Sequence, residues 1–236
     1  MRVVRGRGRT PAADQDVTAA LLRRAAETGE AGLRVWRPHR QVAFGRRDAA
    51  ADGYERARET ARAAGFAPVE RAVGGRAVAH TGETLVFGYA VGCDDPRSGI
   101  QSRYREATAL LRRALDAVGV RARRGEPDGS FCPGQHSLQN GGKLAGLAQR
   151  VRREAALVGG CVTVRAADER EIAEVLGTVY AALDVPFDPA SVGSVEGAGG
   201  DGDPVAVARA IEDAFGDAAD AVSVVDADSL VSTDST

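Results

Sequence analysis

The sequence predicts an α+β fold with one main domain. Apolar runs typical of strands arrive in clusters, and amphipathic helix patterns separate them without the strict strand-helix-strand alternation of a doubly wound sheet. The length of 236 residues suits one large core. Apolar residues make up 44% of the chain and charged residues 27%, and no apolar run is long enough to span a bilayer. This composition is that of an ordinary globular protein.

The N-terminal half is predicted to hold two helices among short strands. Asp14 and Asp16 are candidate N-caps of a first helix, which stops near Gly29. A second helix ends at Gly65. Short apolar runs bounded by proline, arginine or glycine predict three strands, at residues 33–38, 41–45 and 84–91.

The middle of the chain contains the clearest helix pattern and a hairpin signal. A helix opening at Ser98 and stopping at Gly119 has apolar residues three or four positions apart, which places them on one face. These residues are Ile100, Tyr104, Ala107, Leu111, Leu115 and Val118. The glycine-rich run at 140–142 separates two short strand-like runs and predicts a β-hairpin. Another strand is predicted over 157–164.

The composition changes after one more helix, for which Asp168 is the candidate cap. We predict a main domain at residues 1–185 and an appendage at residues 186–236. The appendage has three predicted parts: a flexible Gly- and Ser-rich linker at 191–203, a short helix at 204–215 and a frayed acidic tail from Asp217.

Basic side chains are distributed unevenly. The chain holds 30 arginines and one lysine, Lys143, and its net charge is −2. Residues 1–165 carry 29 basic and 17 acidic side chains, whereas residues 166–236 carry 2 and 16. A basic body can attract an acidic carrier protein or nucleic acid, or can simply solvate the surface. Scattered arginines and an aromatic content of 5% disfavour nucleic acid.

The cysteine count and the N-terminus bear on location. Three cysteines are an odd number without metal-ligand spacing, which predicts reduced thiols and no metal site. The first residues include basic side chains without the apolar stretch of a secretory signal. We therefore expect a cytoplasmic protein that does not insert into membranes.

A glycine-arginine segment is the first candidate for chemistry. Gly74 and Gly75 lie between Arg71 and Arg76, so open backbone stands next to two guanidinium groups. This arrangement suits an anion or a carbonyl oxygen, and it is also common as a simple turn. It lacks the Gly-Lys-Ser/Thr ending of a phosphate-binding P-loop and the G-x-G-x-x-G pattern of a dinucleotide-binding site.

The second candidate is the loop around Cys132. A cysteine in a glycine-flanked loop differs from Cys161, which sits in an apolar strand run, and from Cys93, which precedes two aspartates. Cys132 is therefore the leading candidate nucleophile, and His136 is a candidate base or a bystander. Lys143 lies in the adjacent hairpin, where a compact ammonium offers donors that a guanidinium does not imitate.

Two motifs, in order, resemble a known family. RAVGGRAVAHTGETLVF (71–87) resembles the motif R-R-x-[ST]-G-G-x-A-V-x-H-x-x-x-L of the biotin/lipoate protein ligase and octanoyltransferase superfamily. GGKLAGLAQR (141–150) resembles its segment G-x-K-[IVL]-x-G-x-A-Q, and VAFGRRD (42–48) resembles its G-R strand end. The resemblance covers about residues 1–185.

The resemblance implies the biotin/lipoate ligase-like catalytic domain at 1–185, similar to class II aminoacyl-tRNA synthetases. This is an α+β fold with a central, mostly antiparallel sheet, flanking helices and an acyl pocket. It implies that Lys143 contacts the acyl carbonyl as a catalytic residue. It also implies a substrate-binding set: Arg71, Gly74, Gly75, Arg76, Ala77, His80, Gly146 and Ala148.

The activity implied is protein lipoylation, in which a lipoyl or octanoyl group is attached to a lysine of a lipoyl carrier domain. That domain belongs to the E2 subunit of a 2-oxoacid dehydrogenase or to the glycine cleavage H protein. The Gly-Gly-Arg-Ala-Val run and the Phe-Cys loop upstream of the lysine are closer to cysteine-dependent transferases than to ATP-dependent ligases.

Three functional hypotheses follow. In the transferase, Cys132 takes the acyl group from a donor such as acyl carrier protein, with His136 as a possible assistant and no required cofactor. The first alternative is an ATP-dependent lipoate-protein ligase, which uses ATP and Mg²⁺ and forms a lipoyl-adenylate. The second is a non-catalytic acyl-binding module.

Overall fold

The computed structural model describes residues 1–71, 75–95 and 98–232. Its strands are β1 (Arg2–Arg5), β2 (Gly32–Trp36), β3 (Gln41–Phe44), β4 (Ala67–Glu70), β5 (Val78–His80), β6 (Leu85–Gly92), β7 (Arg123–Arg124), β8 (Ser137–Asn140), β9 (Gly142–Val151), β10 (Ala155–Val162) and β11 (Ser223–Asp226). Its helices are α1 (Pro11–Thr28), α2 (Arg46–Ala49), α3 (Tyr54–Ala63), α4 (Ile100–Ala117), α5 (Ala166–Ala182), α6 (Pro204–Gly216) and α7 (Ala227–Ser232).

The strands form one large and one small sheet. The large sheet has the order β11-β1-β2-β6-β10-β9-β8-β7, and the small sheet has the order β4-β3-β5. In the large sheet, β1 is parallel to β2 and β11, and the remaining neighbours are antiparallel. The α+β class with a mostly antiparallel sheet is therefore confirmed.

Helices cover both faces of the large sheet. Helix α1 packs on one face through Leu21 and Leu22, in a cluster that also contains Ala90 of β6. Helices α4 and α6 pack on the other, where Leu111 and Phe215 join the largest hydrophobic cluster. The small sheet packs with α3 and α5 around a separate cluster. Among the described residues, no helix is both long and apolar enough to cross a membrane.

Most predicted elements lie where the sequence places them. The four strands predicted at 33–38, 41–45, 84–91 and 157–164 are β2, β3, β6 and β10. The predicted hairpin joins β8 to β9 through Gly141, whose φ of 78° is a left-handed conformation that favours glycine. The amphipathic pattern after Ser98 forms α4, with Leu111 and Leu115 fully buried.

The predicted helix caps at Asp14, Asp16 and Asp168 are wrong, because all three residues lie inside their helices, although Asp168 accepts a hydrogen bond from the N–H of Arg165, the N-cap residue, at 3.3 Å. Helix α1 begins at Pro11, and the Thr10 hydroxyl caps it by accepting a hydrogen bond from Ala13 N. Asp14 is instead buried in the first turn and lies 2.5 Å from the guanidinium of Arg34. Asp168 lies inside the first turn of α5 and accepts a hydrogen bond from Thr81.

The C-terminal segment packs far more closely than predicted. Val195 is buried in the main cluster, and its N–H donates to Thr163 O. Glycine here permits close backbone contact rather than flexibility, since a Cβ on Gly193 would lie 2.8 Å from the carbonyl carbon of Gly142. Strand β11, in the region predicted to fray, pairs with β1. Packing thus continues past residue 185 without a break, and only the predicted helix over 204–215 is found, as α6.

Candidate active site

A cavity of about 300 Å³ lies between α1, the large sheet and the small sheet. Residues paired across neighbouring strands point to the same face, so they form rows. Facing α1, one row contains Gly88, Gly159 and Ala148, and the next contains Val86, Cys161 and Gly146. Because four of these six residues have no side chain larger than a methyl group, the space above the sheet stays open.

The cavity is apolar along most of its length and polar at one end. Leu22, Trp36 and Leu157 belong to its wall. Leu157 and Cys161 both line it and are four residues apart on β10, which corresponds to about 13 Å along the strand. Cys132 and Lys143 line the polar end. The shape suits an acyl chain with a reactive head.

Cys132 occupies a strained and firmly held position. Its φ of 41° is left-handed, which costs a non-glycine residue about 1–3 kcal/mol. Its N–H donates to the Tyr180 hydroxyl at 2.7 Å, and that hydroxyl donates to Ala77 O at 3.0 Å. Burial raises the pKa of Tyr180, so the phenol keeps the proton that it donates. Helix α5 and the glycine-arginine segment therefore fix the Cys132 backbone together.

Two donors face the Cys132 sulfur. Arg71 Nη2 lies 3.2 Å from Sγ, and the backbone N–H of Arg76 lies 3.3 Å from it. Arg71 Nη2 also donates to Arg76 O at 2.7 Å, so the guanidinium is aligned with the turn. Reactive cysteines lie in partly exposed, electropositive surroundings of this kind, because the thiolate is the nucleophile.

Lys143 is 1% exposed, and each of its three ammonium protons has an acceptor. Nζ lies 2.7 Å from Glu126 Oε1, 2.8 Å from Phe131 O and 3.0 Å from Cys132 O. The ammonium therefore binds the main chain on both sides of the Cys132 nitrogen. Its predicted contact with an acyl carbonyl remains a prediction, since that contact requires one of these bonds to be given up.

The family model for the lipoyl protein ligase A/B catalytic domain matches residues 10–199. This chain belongs to that family. The matched range contains both motif segments, the Cys132 loop and the strands that line the cavity. The predicted superfamily resemblance is thereby confirmed.

Two curated relatives in this family are octanoyl-[GcvH]:protein N-octanoyltransferases. The protein from Kyrpidia tusciae is 35% identical over 132 residues, which are 55% of this chain and 45% of that protein. The protein from Exiguobacterium sibiricum is 34% identical over 127 residues, which are 52% of this chain and 45% of that protein. Each match therefore spans less than half the length of the relative.

The structural similarity extends over nearly the whole chain. A crystal structure of lipoate-protein ligase A bound with ATP matches with a TM-score of 0.75. It covers 98% of this chain and 92% of that one at 20% identity. The lipoyl ligase fold is thereby confirmed, including the C-terminal residues beyond 185.

The structure gathers most of the predicted substrate-binding residues of this family around one cavity. Arg71, His80, Gly146 and Ala148 line it. The segment 75–77 contacts the Cys132 loop instead. The Arg76 N–H donates to Cys132 Sγ, and the Ala77 carbonyl accepts from the Tyr180 hydroxyl that binds Cys132 N. Gly75 lies next to Sγ. Gly74 lies outside the described residues. The substrate contacts of all eight residues remain predictions.

His136 is not brought to the thiol. Its ring stacks on Tyr104 with centroids 3.8 Å apart, and no hydrogen bond between the described residues joins it to Cys132. Burial, together with the charge of Arg124, lowers the pKa of His136. In the described structure the groups beside Sγ are Arg71 and the Arg76 N–H, so the predicted assistance by His136 has no geometric support.

Sequence reasoning missed three residues that hold the site. Tyr180 lies on the buried face of α5, and its hydroxyl accepts a hydrogen bond from Cys132 N. Asp48 is fully buried and accepts hydrogen bonds from Gly45 N at 3.0 Å and Arg76 Nη1 at 3.3 Å. Glu126 belongs to a polar loop and pairs with Lys143. Only Asp48, the last residue of the VAFGRRD run, had a sequence signal.

Gly75→Ala tests the close contact between the backbone of Gly75 and the Cys132 sulfur. A Cβ on Gly75 would lie 2.8 Å from Cys132 Sγ and 3.0 Å from Arg71 Nη2, so alanine must displace them. We expect alkylation of Cys132 by iodoacetamide, followed by mass spectrometry, to slow by about 100-fold. Gly82→Ala is the matched control, because Gly82 has a similar φ of 100° but nothing within 4 Å of its Cβ position. Equal rates in the two variants would contradict the close contact.

His80 predicts a pH dependence of stability. Burial, aided by Arg71, lowers the pKa of His80 to about 3, whereas an unfolded histidine titrates near 6.5. The unfolded chain therefore gains a proton first as the pH falls, and the stabilisation present above pH 6.5 is progressively lost. At pH 5 the loss is about 2 kcal/mol. In urea unfolding at pH 7.5 and 5.0, His80→Asn should show a drop smaller by that amount; equal drops would refute the assignment.

Proposed function

We propose that this chain is a cysteine-dependent acyltransferase that moves an octanoyl or lipoyl group to a lysine of a lipoyl carrier domain. One observation carries the proposal: the Cys132 thiol stands at the polar end of an apolar cavity with two N–H donors directed at Sγ. The names of the two relatives support an octanoylated glycine cleavage H protein as donor.

The first step forms a thioester on the enzyme. The Cys132 sulfur attacks the acyl carbonyl of the donor, and the bond from the acyl carbon to the leaving sulfur or nitrogen breaks. The leaving group takes up the thiol proton. The apolar wall at Leu22, Trp36 and Leu157 would hold the hydrocarbon chain of the acyl group. In the second step the acceptor lysine amine attacks the thioester, so that an amide forms and the thiol is restored.

Charge on the carbonyl oxygen is stabilised by groups already next to Sγ. The Arg76 backbone N–H and the Arg71 guanidinium are the nearest donors. Removing a single donor of this kind typically costs about 3–4 kcal/mol in the barrier.

The test is a transfer assay without ATP. The purified chain is incubated with octanoylated glycine cleavage H protein and an E2 lipoyl domain. We expect a hydroxylamine-labile octanoyl mass on the Cys132 peptide, followed by hydroxylamine-stable octanoyl on the lipoyl domain. Modification that requires ATP and free octanoate would establish a ligase instead. An unmodified lipoyl domain under both conditions would point to an acyl-binding module.

A further inference from the structure

We propose that Glu126 is a positioning residue, which acts through the Lys143 ammonium to hold the Cys132 backbone and keep Sγ against Arg71 and Arg76. The inference rests on the proposed function for its importance to catalysis. Its geometry stands independently, because Glu126 does not itself line the cavity or contact the Cys132 sulfur among the described residues; it acts on three lining residues, Gly134, Ser137 and Lys143.

Both carboxylate oxygens of Glu126 are engaged. Oε1 accepts from Lys143 Nζ at 2.7 Å. Oε2 accepts from Gly134 N at 3.1 Å and from the Ser137 hydroxyl. Glu126 thereby ties two residues that follow Cys132, Gly134 and Ser137, to the lysine at the start of β9. A carboxylate with this many donors is oriented rather than mobile.

The carboxylate is kept ionised despite its partial burial. Burial alone would raise the pKa of Glu126, but the hydrogen bonds from Lys143 and Ser137 outweigh it and hold the pKa below its usual range. The pair therefore places a negative charge beside an ammonium that is only 1% exposed. Without that charge, the buried cation would keep the two main-chain carbonyls and the Phe131 ring, whose centroid lies 4.7 Å from Nζ, but would have no counter-charge among the described contacts.

Those two carbonyls connect the pair to the nucleophile. Lys143 Nζ donates to Phe131 O and Cys132 O, which flank the left-handed Cys132 backbone. Tyr180 holds the Cys132 N–H from the other side. Since both carbonyls and the N–H are bound, the loop presents Sγ in one direction. A change at Glu126 therefore weakens the hold of Lys143 on Phe131 O and Cys132 O.

Glu126→Gln is the informative variant. It preserves shape but removes the charge, and its amide nitrogen cannot accept from Gly134 N and Ser137 Oγ as Oε2 does. We measure iodoacetamide labelling of each cysteine by peptide mass spectrometry, with no acyl substrate present. Labelling of Cys132 should slow by about 10- to 100-fold, while the half-exposed Cys93 reacts at the wild-type rate.

Several controls separate positioning from unfolding. Cys161 is partly exposed in the middle of the sheet, and burial raises the pKa of its thiol, so labelling of Cys161 that is faster than in the wild type reports loss of the fold. Glu55→Gln changes an exposed carboxylate that pairs with Arg58 and should leave Cys132 labelling unchanged. If Glu126→Gln exposes Cys161, Glu126→Ala is labelled with and without acetate, which can fill the vacated carboxylate site.

The outcomes decide the matter. Slow Cys132 labelling with Cys161 protected, or recovery of Cys132 labelling in Glu126→Ala on addition of acetate, supports the inference. Wild-type labelling of Cys132 in Glu126→Gln, or no recovery with acetate, overturns it. Because labelling needs no acyl group, a chain that fails every transfer assay would refute the proposed function and leave this result interpretable.

Discussion

Cys132→Ala is expected to abolish acyl transfer, by about 10⁴-fold or more, without unfolding the chain. Loss of a nucleophile costs this much because the remaining groups only bind and polarise the substrate. The substitution removes one sulfur from a half-buried position, and the backbone bonds to Tyr180 and Lys143 do not involve the side chain. Mass spectrometry of the protein after incubation with an octanoylated carrier should show no thioester.

Two companion variants sharpen this expectation. Cys132→Ser should be nearly as inactive, since a hydroxyl is a far weaker nucleophile near neutral pH. Cys161→Ala should still form the acyl-enzyme on Cys132. Although Cys161 lines the same cavity, neither Arg71 nor Arg76 donates to its sulfur among the described contacts. Burial raises the pKa of Cys161, which keeps that thiol protonated.

The contrary result is also informative. If Cys132→Ala modifies a lipoyl domain at the wild-type rate when ATP and free octanoate are present, the chain is an adenylating ligase. The structure of lipoate-protein ligase A bound with ATP has a similar fold. Cys132 would then be a bystander despite its two donors.

Local patterns were sufficient for most elements and for the centre of the site. Strands β2, β3, β6 and β10 follow from short apolar runs, and the hairpin follows from its glycine turn. The motif order brought Arg71, Cys132 and Lys143 into one hypothesis, and hydrogen bonds join these three residues in the structure. Residues of an unusual type, such as the only lysine, could be assigned to the site from the sequence alone.

Features that depend on tertiary contact were not predictable. A carboxylate in a polar loop has no local property that marks Glu126 as the partner of a buried ammonium. Residues 191–203 were predicted to be a flexible linker because Gly and Ser usually indicate flexibility. In the fold, Gly193 instead lets its N–H reach Lys143 O at 3.1 Å, which a larger residue would obstruct.

Lys143→Arg is expected to give a folded protein that transfers acyl groups at least about 100-fold more slowly. A tetrahedral ammonium directs three protons at Glu126, Phe131 O and Cys132 O, which a planar guanidinium cannot reproduce. The surroundings also leave little room, since a Cβ on Gly146 would lie 3.2 Å from Lys143 Cε. The charge and the pair with Glu126 persist, so the main cost falls on the cysteine loop.

The measurements separate this geometric effect from a general loss of stability. Thermal unfolding should show a decrease of a few degrees for Lys143→Arg and a larger one for Lys143→Met, which removes the counter-charge of Glu126 and the ammonium donor to two carbonyls. Acyl transfer and iodoacetamide labelling of Cys132 should fall together in Lys143→Arg, because both depend on where Sγ points. Full transfer activity in Lys143→Arg would mean that charge alone suffices and that the solitary lysine carries no geometric requirement.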